Sequence, residues 1–202
     1  MSGTASRPSV LGILGSPRAQ SNTGVLLDRA LAGAEAAGAE VRLASLRGLT
    51  FRSCRHCNGC EHTGECVVKD DLRSLYDTIR TAQHLILASP IHFAGLSGEM
   101  KAMVDRAQAL WIAKHRLRLP VTEVAGPRRG LFIATCGGPD TRVFGHAAHT
   151  VKAFFATAEF VYWGELFEAN TDAPPPVADR GEMLARAEEL GRGLVSGNAE
   201  GA

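Results

Sequence analysis

The chain has 202 residues, 45% hydrophobic and 21% charged, enough to bury a core of its own without a covalent staple. A net charge of +1 gives no field that would call for nucleic acid or an anionic membrane. The opening MSGTASRPSV is small and polar where a secretory leader is apolar, and no stretch reaches the about 18 apolar residues of a membrane span, so the expected setting is the reducing cytoplasm.

SVLGILGS (9–16) is a continuous apolar run, as in a strand buried on both faces. Leu27, Ala30, Leu31 and Ala34 then recur at helical spacing, with Thr23 placed to cap the start and Gly38 to close the end. VRLASL (41–46) reads as a second strand. A cysteine-rich loop over 47–71 leads to a helix face of Leu72, Leu75, Tyr76 and Ile79, whose N-terminus suits the carboxylates of Asp70 and Asp71. HLILASP (84–90) is the third strand, and Met100, Met103, Val104 and Ala107 mark the third helix. GLFIATC (130–136) is the fourth strand, Phe144, Ala148, Val151 and Phe155 the fourth helix, FVYWGELF (160–167) the fifth strand, and 178–195 the final helix. This alternation implies a single α/β domain over 9–196, a doubly wound five-stranded parallel sheet with helices on both faces. The first eight residues, the linker NTDAPPPVAD (170–179) and the tail from 197 are expected as disordered or flexible ends.

In such a sheet ligands sit beyond the carboxyl ends of the strands, which singles out three loops. GSPRAQSNTG (15–24) is dense in donors: Ser16, Ser21, Asn22 and Thr23 offer hydroxyl or amide groups, Arg18 offers charge, and the helix start offers its dipole. That is chemistry for a phosphate, and the missing Gly-Lys-Ser/Thr and G-x-G-x-x-G patterns favour a lone phosphomonoester over a triphosphate or dinucleotide. The plain alternative is a turn and an N-cap. SPIHFAGLSGEMK (89–101) presents Ile91, His92 and Phe93, apolar and aromatic groups suited to a planar ring. TCGGPD (135–140) lets a backbone approach a ligand closely.

G-S-P-R-x-x-S-N-T, C-x2-C-x2-C-x5-C followed by G-E-C-V-V-K-D-D, S-P-I-x-F-x-G-L-S-x-x-M-K and the dipeptide D-R together resemble the iron-sulfur flavoproteins within the flavodoxin-like NAD(P)H-dependent FMN reductases, from about residue 9 to about 168. The resemblance implies a flavodoxin-like fold, bound FMN, NAD(P)H as a possible donor, and a homodimer or homotetramer exchanging electrons with small-molecule or protein partners. It places Ser16, Arg18, Ser21, Asn22 and Thr23 on the FMN phosphate, Pro90, Ile91, His92, Phe93 and Gly95 along the isoalloxazine, and Cys136, Gly137 and Gly138 on the third side. His92 stands where members of that family usually have tyrosine, either a group that biases the flavin or a bystander. With the flavin supplying the reactivity, no catalytic acid, base or nucleophile in the protein is required.

Four of the five cysteines lie in CRHCNGCEHTGEC (54–66). In a reducing compartment such a cluster points to metal or redox chemistry rather than to disulfides. Cys54, Cys57, Cys60 and Cys66 have the close spacing that wraps a [4Fe–4S] cubane, with turn freedom from Asn58, Gly59 and Gly64. Zinc, kept in view by His56 and His62, and a metal-free loop remain open. The corresponding functions are an FMN iron-sulfur electron-transfer oxidoreductase, a metal-free NAD(P)H-dependent FMN, quinone or azo reductase, and a zinc or thiol sensor on a flavodoxin scaffold. Cys136, apart from the rest, reads as a small buried group rather than a redox centre. The basic segment 111–130, with Trp111, Lys114, Arg116, Arg118, Arg128 and Arg129, reads either as a solvated excursion or as a cover that attracts an acidic donor.

Overall fold

The computed structural model describes residues 7–198. The strands are β1 (Ser9–Leu14), β2 (Glu40–Ser45), β3 (His84–His92), β4 (Gly95–Leu96), β5 (Arg129–Thr135) and β6 (Val161–Glu168). The helices are α1 (Asn22–Ala36), α2 (Leu72–Thr81), α3 (Gly98–Arg106), α4 (Gln108–Trp111), α5 (Val143–Thr157) and α6 (Gly181–Ser196), and a π-helical turn over Ile112–Leu117 continues α4. Five strands run parallel in the order β2-β1-β3-β5-β6, the flavodoxin-like doubly wound arrangement, while β4 folds back antiparallel on the end of β3.

The period of two along a strand divides the core. Leu85 and Leu87 pack with Leu72, Ile79, Met100 and Phe155 under α2, α3 and α5; Ile86 and Ala88 pack with Leu27, Ala30, Leu190 and Leu194 under α1 and α6. α1 and α6 touch backbone to backbone. A Cβ on Gly33 would stand 2.0 Å from the Glu188 carbonyl oxygen, and one on Gly191 would stand 1.8 Å from that of Ala30.

Boundaries shift where tertiary contacts intervene. β1 stops at Leu14, because the Gly15 amide turns to the Ala88 carbonyl (2.8 Å) and its own carbonyl accepts from Ser97 Oγ (2.6 Å). α1 is capped by Ser21, whose Oγ accepts the Gly24 amide (3.1 Å). Thr23, the expected cap, instead lies inside the first turn, its hydroxyl bonded to that of Thr135 at 2.6 Å. Gly38 closes α1 as expected, at φ +92. β3 runs to His92 and turns through Phe93 and Ala94 at φ +48 and +60.

The expected loose linker 170–179 is pinned. Arg180 donates to Glu168 and to the carbonyls of Ala169, Asn170, Ala173 and Pro175. Residues 1–6 and 199–202, expected as loose ends, lie outside the described residues; Pro8 accepts the Glu40 amide at 2.9 Å and Gly197 ends α6 at φ +82. Among the described residues no helix is long and apolar enough to cross a membrane.

The basic segment is largely structural. Arg128, 4% exposed, donates to Ile79, Ala82 and Ala158 carbonyls, closing the C-terminal ends of α2 and α5, and lies 3.8 Å over the Phe160 ring. Burial lowers its pKa to about 10. Arg129 reaches the Leu194 carbonyl of α6 (3.1 Å), Lys114 the Ala156 carbonyl (2.7 Å), and Arg116 pairs with Glu61 (2.9 Å).

Candidate functional site

Strand order reverses between β1 and β3, so a crevice opens at their carboxyl ends. The cavity found there is lined by Ser16, Arg18, Ser21, Asn22 and Thr23 from the loop after β1, by Pro90, Ile91 and His92 from β3, and by Gly137 after β5. The amides of the first turn of α1 have no intrahelical acceptor and open toward this side. Ser16 is 3% exposed and receives the Arg18 amide on its Oγ at 3.2 Å, which holds the loop in a tight bend around the cavity.

Four expected residues stand off the lining. Phe93 is wholly exposed at the hairpin tip, Gly95 pairs back onto His92, and Gly138 gives its carbonyl to the Asn170 amide (2.8 Å). Cys136 is half-buried and packs against the core, less enclosed than the small buried group expected of it.

Four residues that the sequence does not single out join the wall: Pro17, Thr135, Thr171 and Asp172. Asn22 Nδ2 donates to the Thr171 carbonyl at 3.3 Å, and the Asp172 carboxylate lies so close that a Cβ on Gly137 would meet it at 2.3 Å. Pro17 lies within GSPRAQSNTG and Thr135 within TCGGPD, but nothing local marks Thr171 or Asp172. They reach the cavity because Arg180 folds their segment back.

The cysteine loop forms a second cavity. Cys54, Cys57, Cys60 and Cys66 all line it, together with Arg106 of α3, Ala109 of α4, and Ile112 and Arg116 of the π-turn. All four are free thiols. His56 also lines it, whereas His62 does not. The wrap uses left-handed backbone at His56 (φ 50), Asn58 (φ 59) and Gly64 (φ 72), and a Cβ on Gly64 would press on that of Ala113 at 2.7 Å. Gly59, expected to share that role, is not in the left-handed region and packs against Val67 instead. Burial raises the Cys60 thiol above its ordinary pKa, and Cys66, Cys54 and Cys57 add to the rise, partly offset by a backbone hydrogen bond, so the four sulfurs feel one another. Among the described residues no three His, Cys, Asp or Glu side chains converge as one metal ion would require.

Comparison with known proteins places these features in a group. The family model described as NADPH-dependent FMN reductase matches residues 8–165. An iron-sulfur flavoprotein of Methanocaldococcus jannaschii is 32% identical over 184 residues, 90% of this chain and 88% of that protein. One from Archaeoglobus fulgidus is 36% identical over 106 residues, 52% of this chain. That match spans 54% of the Archaeoglobus protein, and a match to another Methanocaldococcus relative spans 53% of it, so the chain covers about half the length of these two. Among solved structures, the NAD(P)H:quinone oxidoreductase from Methanothermobacter marburgensis superposes with a TM-score of 0.67 at 17% identity, covering 94% of this chain and 96% of that one. An FMN-dependent NADH-azoreductase from Bacillus anthracis, solved with FMN, gives 0.65 at 14% identity, covering 93% and 98%. At those identities the structures speak for the fold alone.

Proposed function

Because the chain belongs to the NADPH-dependent FMN reductase family, alongside the iron-sulfur flavoproteins, we propose that it is an FMN-dependent oxidoreductase whose cysteine loop carries a [4Fe–4S] cluster. The observation that carries the flavin reading is the cradle at the start of α1. Ser16, Ser21, Asn22 and Arg18 gather around the start of α1 at the sheet's switch point, where the helix dipole and side-chain donors suit one phosphate. The Asp172 carboxylate opposite disfavours a second phosphate, which supports FMN over a dinucleotide. Pro90, Ile91 and His92 give the ring a largely apolar wall, and Thr171 and Asp172 offer acceptors to a polyol chain between ring and phosphate. When bound, FMN takes two electrons from a reduced nicotinamide, and a cluster passes electrons singly.

The donor set of the second cavity suits iron and sulfide. A single zinc ion with Zn–S bonds of about 2.3 Å draws its thiolates within about 4 Å of one another. A cubane holds its four thiolates wider apart because each binds a different iron, and this cavity is lined by four cysteines to serve it. Soft thiolates are the ligands iron-sulfur clusters take. Association into dimers or tetramers is part of the proposal; it is supported by Phe93, fully exposed beside the flavin cavity, and is read by sedimentation.

The test is an absorbance spectrum of anaerobically purified protein with flavin, iron, sulfide and zinc analysis. FMN with about four irons per chain is expected. Absence of flavin, with no uptake of added FMN, overturns the first half. FMN without iron turns the reading to a metal-free quinone or azo reductase, and zinc without turnover turns it to a sensor.

A further inference from the structure

The cysteine loop leaves the domain through a narrow neck, and one side chain closes it. Arg106, in the last turn of α3, is 3% exposed at its side chain. One terminal nitrogen donates to the Arg52 carbonyl (2.9 Å) and to Asp70 Oδ2 (2.7 Å); the other donates to Asp70 Oδ1 (3.2 Å) and the Val68 carbonyl (3.5 Å). Asp70 Oδ2 also accepts the Arg52 amide (3.2 Å), and Asp71 Oδ2 the Thr50 amide (2.7 Å). Residues 52 and 68 flank the first and last cysteines of the loop, each two positions outside them. The guanidinium therefore joins both ends of the excursion just beyond Cys54 and Cys66.

Its third nitrogen is unspent. Arg106 Nε is buried and has no partner in the protein. The side chain lines the four-thiol cavity and also an adjoining one that touches Cys66, and Cys66 contributes to its electrostatics. Asp70, its counter-ion, lines neither cavity. The cation thus faces the sulfurs and the anion stands behind it. Burial raises the Asp70 carboxyl, but hydrogen bonds from Arg106 and the Arg52 amide outweigh this and hold it below the usual range, so the pair is ionised.

We propose that Arg106 is the positioning residue of the thiolate cluster: it closes the neck that brings the first and last cysteines together and supplies the positive charge and N–H that their bound group feels. This rests on the cluster reading above. Four thiolates around a [4Fe–4S] core carry net negative charge, and accepting one electron adds to it, so a facing cation favours the reduced form and the anion behind it opposes that effect.

The experiment compares wild type, Arg106→Gln and Asp70→Asn, prepared without oxygen. Each variant removes one side of the same clamp, so both should release iron to a chelator about tenfold faster, with FMN content unchanged. In a mediated electrochemical titration of the one-electron reduction, the two should move in opposite directions. Arg106→Gln shifts the equilibrium about tenfold or more toward the oxidised form, and Asp70→Asn shifts it toward the reduced form. A merely structural arginine would leave both unchanged or move both the same way, and either result overturns the charge half of the proposal. Hydrogen exchange of metal-free protein tests the other half: the Arg52 amide should exchange about tenfold faster in Asp70→Asn, and equal protection would overturn the clamp. If wild type itself holds no iron, the cluster reading and the charge half fail together, while the exchange result still decides whether the clamp exists. Should Arg106→Gln not fold, Asp70→Asn carries both measurements.

Discussion

The cradle at the end of β1 and the loop of four cysteines stand on opposite kinds of foundation. The cradle is built from the ends of buried strands: Ser16 is 3% exposed, Thr23 is fully buried against Thr135, and Gly15 is tied by its amide to Ala88 of β3 and by its carbonyl to Ser97, the cap of α3. The cysteine loop is an excursion with no strand or helix of its own, anchored at its neck by Arg106 and propped by the π-turn through Gly64 and Ala113. The difference teaches where preorganisation comes from. Hydroxyls and amides that hold a phosphate must keep their geometry before the ligand arrives, and a sheet edge provides that. Thiolates can be drawn into place by the strength of their bonds to iron, so a closed neck is enough.

This comparison is breakable, and the largest expected effect is on the loop. Cys57→Ser replaces a soft thiolate by a hard oxygen and should take iron and sulfide from about four per chain to nearly none, while bound flavin stays at the wild-type level. Concurrent loss of FMN would show that the two regions are not independent. Next comes the foundation of the cradle. Gly191→Ala drives a methyl into the Ala30 carbonyl at the crossing of α1 and α6 and should cost about 3 kcal/mol or more in urea unfolding. Because α1 carries the phosphate loop, FMN should be released at lower denaturant than in wild type.

Ser21→Ala is a smaller cut in the same place. It removes the cap of α1, worth about 1 kcal/mol of stability, and a phosphate donor, so FMN affinity should fall about tenfold or more, with iron content untouched. An unaltered FMN titration would remove Ser21 from the cradle.

The smallest effect concerns His84, near the amino end of β3 and remote from both regions. Burial, then the nearby Arg129 and Arg128, lower its pKa from 6.5 to about 4, and its Nδ1 accepts the Arg129 amide, which requires the neutral ring. The unfolded chain binds this proton near pH 6.5 and the native chain refuses it until about pH 4. The stability that depends on His84 is therefore complete above 6.5 and falls as pH drops through that window. In His84→Gln the pH dependence of unfolding between those values should lose up to one proton's slope. A steeper acid loss in the cysteine loop alone would point to carboxylate protonation there instead.

The strands, the helices and their parallel sheet were legible from the chain by itself because their signal is local: Leu85 to Ala88 alternate between two cores at period two, and Leu27, Ala30 and Leu31 recur at the period of a helix. Most of the residues that gather at the two cavities were legible for the same reason, since hydroxyls, amides and four thiols fall within short stretches. The fate of single polar residues was not. Whether Ser21 or Thr23 caps α1 turned on Thr135, 112 positions away from Thr23. Thr171 and Asp172, in a stretch that reads as a linker, became a wall because Arg180 gathers the carbonyls around them. Arg128, in a segment that reads as a solvated excursion or a cover for an acidic donor, closes two helices, and Arg106, half of a bare dipeptide motif, closes the cysteine loop through Asp70, 36 residues earlier. A buried donor goes to whichever acceptor the folded chain places within about 3 Å, and that acceptor's identity is a property of the packing and not of the neighbouring sequence.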